Sequence, residues 1–309
     1  MKKETRKLIG NIAIGVFLVG AALIFNQILA ATVTSSVLVG NSAPTASAVL
    51  VNGGVSPITL NANGTTTVTV GATVTDNNGC SDVFTSGTST VYLYRSGFTS
   101  SSCISAQNPV NCYKQSFQTN SCTGTSTTAV ATTTFNIQYF SQATDASSSF
   151  PGQFWIATVI VQDGSIATSS ADSPSTVVLN TLTAISLATT TINYGTISAN
   201  TNTGATNQQV LVENVGNSSS TIQLSANPTL TSGANIIATS SQVYASSSFT
   251  YGAGGIALSG TPTTVPGFAI TAPTSTATSS KTTFWGLAVP GGTATGTYSG
   301  TNVFTALFQ

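Results

Sequence analysis

Short runs in which β-branched or aromatic residues alternate with small polar ones recur from Pro44 to the end of the chain, punctuated by Gly, Asn, Asp and Pro. Thr65–Val74 (TTTVTVGATV), Thr90–Arg95 (TVYLYR), Thr132–Phe140 (TTTFNIQYF) and Trp155–Gln162 (WIATVIVQ) are the clearest. Gln208–Glu213, Ser220–Leu224, Thr282–Val289 and Asn302–Phe308 repeat the pattern further on. A period of two places successive side chains on opposite faces of a strand, so each run predicts a strand with one buried face. No window beyond Ala31 carries the 3.6-residue period of an amphipathic helix. The expected fold class is all-β, built from antiparallel sheets packed as sandwiches or closed as a barrel.

The chemical inventory is narrow. Ser and Thr supply 97 of the 309 residues, charged residues make up 5%, and there is no histidine. Without histidine the chain has neither a Ser-His-Asp nor a Cys-His nucleophile, nor any His-ligated metal site. Beyond residue 7 the cations are Arg95, Lys114 and Lys281. Three cations cannot neutralise a run of phosphates, so nucleic acid is not an expected partner. Neither lysine stands in an S-x-x-K arrangement, which leaves a Ser hydroxyl only carboxylates as a base, and the sequence does not cluster them. No catalytic residue, cofactor site or metal site is assigned, and the chain is not expected to be an enzyme.

Charge is concentrated at the start. Lys2, Lys3, Arg6 and Lys7 precede an apolar run, Leu8–Ala31, whose stretch from Ile12 to Phe25 holds no polar side chain. A spanning helix needs about 20 apolar residues, and a basic flank stays in the cytoplasm. Residues 1–7 are therefore expected as a cytoplasmic stub and residues 8–31 as a single-pass signal-anchor. The alternative is a cleaved signal peptide, although no small-x-small cleavage site closes the run. Residues 32–43 follow as a small, polar linker. Either way the body lies outside the cell membrane, in an extracellular or periplasmic space.

The body divides at a weak repeat. Phe154-Trp155 opens an apolar strand followed by the Asp163-Gly164 turn and a last strand, Thr176–Leu179. Phe284-Trp285 opens another, followed by Pro290-Gly291-Gly292 and a last strand, Val303–Phe308. The expected domains are residues 44–182 and 183–309. Each Trp stands in an alternating apolar strand, and is read as a core residue rather than a sugar-stacking platform.

The second half carries a more specific pattern. Ile192-Asn193-Tyr194-Gly195-Thr196-Ile197, then Val210–Glu213 and Asn214-Val215-Gly216-Asn217, resemble the opening strand and turn of Ig-like surface modules. Trp285-Gly286-Leu287-Ala288-Val289-Pro290 with Gly296-Thr297-Tyr298-Ser299-Gly300 resemble their close. Upstream, Thr75-Asp76-Asn77-Asn78-Gly79-Cys80, Asn111-Cys112-Tyr113 and Thr144-Asp145 are similar to segments of Ig-like proteins exported by small-genome, uncultivated bacterial lineages. The resemblance implies two tandem Ig-like β-sandwich domains on the cell surface, and no catalytic residues.

Cys80, Cys103, Cys112 and Cys122 all fall in the first expected domain. An even number outside the cytoplasm reads as two disulfides, with three connectivities open. Cys103–Cys112 nested inside Cys80–Cys122 is preferred, because it closes the otherwise long Phe98–Cys122 loop. The spacings lack the C-x2-4-C pair of a zinc site. Asp76, Asn78 and Asp82 offer oxygens suited to Ca²⁺, but their run lacks the late Glu of an EF-hand and reads as an Asn-Gly turn. Asp145 and Asp163 are read as loop and turn residues. The function expected is a membrane-anchored surface protein with a structural or adhesive role, whose partners are other surface proteins, glycans or itself. The alternative is an extracellular carbohydrate-binding or hydrolytic module.

Overall fold

The computed structural model describes residues 32–105, 108–226 and 229–309, with side chains 104 and 105 also left aside. The expected anchor, residues 8–31, lies outside the described residues. Among the described residues no helix is long and apolar enough to cross a membrane. The chain forms two units, Met1–Gly40 and Asn41–Gln309. In the first, residues 32–40 are exposed and carry neither strand nor helix.

The second unit is all-β with antiparallel ladders. Its first eight strands are β1 (Thr45–Val51), β2 (Thr65–Thr75), β3 (Thr90–Arg95), β4 (Cys112–Ser116), β5 (Thr119–Asn120), β6 (Thr128–Gln138), β7 (Trp155–Gln162) and β8 (Thr168–Asp172). They form two sheets, ordered β1-β2-β6-β5 and β4-β3-β7-β8. The longest ladder joins β2 to β6 over eleven pairs, from Thr65–Gln138 to Thr75–Thr128. Alternation decides which side chains meet: Val68, Val70, Ala72 and Val74 of β2 face Val91 and Leu93 of β3 and Trp155, Ala157, Val159 and Val161 of β7 in one core. Polar partners on the opposite face of β2 leave that side solvated.

β3 departs from the alternating expectation, since Val91 to Arg95 are all buried. Its outer face is covered by the segment Ser100–Ser105, a short helix that the sequence pattern does not predict. Tyr92, Tyr94, Cys103 and Cys112 cluster there with Phe98. Six residues are too few to display a helical period, and the Cys103–Cys112 disulfide holds the segment down.

The remaining strands are β9 (Ile185–Leu187), β10 (Thr201–Asn202), β11 (Gln208–Asn214), β12 (Ser220–Ala226), β13 (Leu230–Ser232), β14 (Asn235–Ile237), β15 (Gln242–Ala245), β16 (Ile256–Ala257), β17 (Thr263–Thr264), β18 (Ser279–Val289) and β19 (Asn302–Phe308). One sheet runs β16-β15-β18-β11-β9 and another β17-β12-β19. Val210, Val212, Ile222, Leu224, Tyr244, Phe268 and Trp285 fill a second core between them. Two expected strands are not ladders. Thr176–Leu179 makes only isolated bridges, Val177 to Trp155 and Leu179 to Ile58. Ile192–Ile197 pairs with nothing, because the Asn193 side chain accepts the Gly195 N–H and Gly195 turns left-handed at φ 71°.

The two cores meet at a junction that is part apolar and part hydrogen-bonded. The turn after β11 packs Val215 against Val110, Tyr139 and Phe140. Asn217 donates its side-chain amide to the carbonyls of Ser141 and Asn180 and accepts from the Leu182 N–H. A Cβ on Gly216 would sit 2.1 Å from the Leu182 carbonyl oxygen, so only glycine fits. Gly216→Ala is expected to destabilise the unit by about 1–3 kcal/mol by forcing the turn after β11 away from the Leu182 backbone. Chemical denaturation measures this, and an unchanged midpoint would count against so tight a junction.

Candidate functional site

Two places concentrate polar chemistry. The first is one end of the first core. β2 ends at Thr75, and Asp76 then caps a turn: its Oδ1 accepts the Asn78 N–H at 2.8 Å and its carbonyl accepts the Gly79 N–H at 3.0 Å. Gly79 has φ 113°, which turns the chain into Cys80. Cys80 bonds Cys122, and Asp82 opens a short helical segment, Asp82–Ser86. The Gly79 carbonyl accepts the Asp82 N–H at 3.0 Å, keeping Asp82 above the turn.

Asp163 arrives from elsewhere in the sequence. It begins the β7–β8 turn, which closes through Ile166 at φ 70°. That fold-back aims the N–H groups of Ser165 and Ala167 at Asp163 Oδ1, both at 2.9 Å. The Asn41 amide donates to Oδ2 at 2.8 Å, and this bond, aided by the two N–H groups, holds the Asp163 carboxyl below the usual carboxylate range. The Gly164 N–H donates to Asp82 Oδ1 at 3.2 Å, tying the two loops together.

The result is a group of three carboxylates, Asp76, Asp82 and Asp163, with one oxygen from each lying within 4.8 Å of the others. Asp76 and Asp163 are buried and Asp82 half-buried. Oδ2 of Asp76 is buried without a hydrogen-bond partner. Sequence reading singled out Asp76 and Asp82 but not Asp163, whose approach depends on sheet closure. Asn78 is committed differently, its Oδ1 accepting the Ser42 N–H. Asp145 stays apart and binds Thr181 through both carboxylate oxygens.

The described cations are spent elsewhere. The Arg95 guanidinium bonds Gln142 and Gln153 and stacks 3.6 Å from the Phe150 ring centre. Lys114 lies 5.8 Å from the Tyr92 ring, and Lys281 donates to the Gly267 carbonyl.

The second place is an open cleft of about 980 Å³ in the second half. Its rim includes the unpaired Ile192–Ile197 segment, and Leu230, Leu287, Val289 and Tyr298 line it. At its floor Tyr194 donates to Gln242, which exchanges amide hydrogen bonds with Asn302. Burial pushes the Tyr194 phenol far up, so it stays protonated. The lining holds no acid, amine, guanidinium or thiol. It offers hydroxyls, amides and apolar walls.

Trp155 and Trp285 belong to neither place. Both are fully buried, with indole N–H groups donating to the Gln142 carbonyl and the Thr283 hydroxyl. Cys103 bonds Cys112, giving two nested disulfides with Cys80–Cys122. Two disulfides in an all-β body are the mark of an oxidising, extracytoplasmic compartment.

No family model matches the chain, and no curated protein matches it. Among solved structures, the secreted serine protease VesC from Vibrio cholerae aligns at 12% identity and a TM-score of 0.19. That alignment covers 82% of this chain and 49% of the protease, so this chain spans about half its length. A likeness this slight carries no argument about fold or activity.

Proposed function

We propose that this chain is a membrane-anchored surface protein of two tandem Ig-like sandwiches, with a structural or adhesive role and no catalysis. The observation that carries the reading is the lining of the large cleft, whose Ser, Thr and Tyr hydroxyls have no Asp, Glu, His, Lys, Arg or Cys beside them to activate them near pH 7. Burial of both Trp side chains supports it, because a sugar-stacking platform needs an exposed ring face. The nearly uncharged, Ser/Thr-rich composition suits a stalk or layer component that associates with itself or with surface glycans.

The full chain in detergent, incubated with peptidoglycan, glycan and peptide substrates, is expected to show no turnover and to self-associate or retain cell-surface material. Saturable turnover lost on changing one aspartate, with the fold intact, would overturn it. Selective retention on a glycan array, weakened by Tyr298→Ala, would favour the carbohydrate-binding alternative. For topology, protease added to intact cells is expected to digest the body and leave a small membrane-bound fragment. A fully protected chain would refute the anchor.

A further inference from the structure

We propose that Asp76, Asp82 and Asp163 bind one calcium ion, which clamps the end of β2, the Asp82–Ser86 segment and the β7–β8 turn together. The geometry fits the ion. Oxygens bound to one Ca²⁺ at 2.3–2.6 Å are at most about 4.6–5.2 Å apart, and here one oxygen from each residue lies within 4.8 Å of the others. The donor set is all carboxylate, which suits a hard cation and not zinc or copper.

The independent sign of a ligand is Oδ2 of Asp76. It is sealed from solvent on a residue 1% exposed, yet no hydrogen bond reaches it. Buried carboxylate oxygens are normally paired with a donor or a metal. No described lysine or arginine supplies that donor, since each is engaged elsewhere. Three acids drawn together without a protein cation repel one another, and a divalent ion removes that repulsion. The other two acids also keep accepting capacity. Asp163 Oδ1 is occupied by two backbone N–H groups and Oδ2 by one amide, which leaves Oδ2 able to accept once more. Asp82 directs Oδ1 to the Gly164 N–H and has Oδ2 to spare. The half-exposed side at Asp82 admits the waters that complete six to eight ligands.

Three acids with shared waters resemble an extracellular module more than a cytosolic buffer, so affinity is expected at about 10⁻⁴–10⁻³ M. The test is calorimetric titration of the EDTA-treated full chain in detergent with calcium chloride and, separately, magnesium chloride. Wild type is expected to bind one Ca²⁺ and to melt at higher temperature as Ca²⁺ is added. Mg²⁺, which demands shorter bonds and a regular octahedron, is expected to bind at least about tenfold more weakly. Asp82→Asn and Asp163→Asn are each expected to weaken Ca²⁺ binding by about tenfold or more, while Asp172→Asn, on β8 away from the group, leaves it unchanged. Asp76→Asn is expected to raise the melting temperature in EDTA while abolishing the Ca²⁺ response, a pair of effects that a damaged fold would not give. Absence of saturable binding by folded wild type at about 10 mM Ca²⁺ would overturn the proposal, as would unchanged binding by a folded Asp82→Asn or Asp163→Asn, or equal affinity for Mg²⁺.

Discussion

Trp155→Ala is expected to cost about 3–5 kcal/mol, and Trp285→Ala the same. Each ring is fully buried, and each stands at the crossing of its core. Trp155 lies against Tyr113, with ring centres 6.0 Å apart, and Trp285 between Tyr244 and Phe304 at 5.6 and 5.7 Å. Truncation empties a cavity too large for neighbours to fill. It also strands a hydrogen-bond acceptor at Gln142, and it takes the donor from the Thr283 hydroxyl. Scanning calorimetry reads the loss. Since the cores are separate clusters joined through a small third cluster, each substitution is expected to lower the transition of its own half more than the other. A loss below about 1 kcal/mol would contradict a core role for that indole.

Removing the outer disulfide is expected to be nearly as costly. Cys80 and Cys122 are separated by 42 residues, and opening such a loop in the unfolded chain restores entropy worth about 4 kcal/mol. The inner pair spans 9 residues and is worth about 2.5 kcal/mol by the same reasoning. Cys80→Ala with Cys122→Ala should therefore shift the denaturation midpoint further than Cys103→Ala with Cys112→Ala. The reverse order would show that pinning the short helix onto β3 outweighs loop closure.

What the sequence makes legible follows from how far apart the interacting residues lie. Alternation is a local signal, so Thr65–Val74 and Trp155–Gln162 announce their strands, and the all-β class with them. β5, β10, β16 and β17 have two residues each, too few to show any period. Tyr92 and Tyr94 break the alternating rule because the disulfide-held segment that starts five residues after β3 folds back over them, a reversal that neither alternation nor a helical period signals. Asp163 joins Asp76 and Asp82 only after the β3–β7 ladder and the β7–β8 hairpin have formed. Its sequence neighbourhood, Asp163-Gly164, reads as an ordinary turn, and an ordinary turn is also what it is. The cleft arises where Ile192–Ile197 fails to pair, and that failure rests on one Asn side chain competing for the backbone.

The Cys80–Cys122 bond also fixes how this protein would respond to a pull along its length. Force entering near Asn41 and leaving near Gln309 would pass straight across the sulfur bridge. The 42 peptide steps between the two cysteines could not pay out, which withholds about 140 Å of extension even after the first core has opened. The inner bridge, lying wholly inside that sequestered stretch, would bear no load at all.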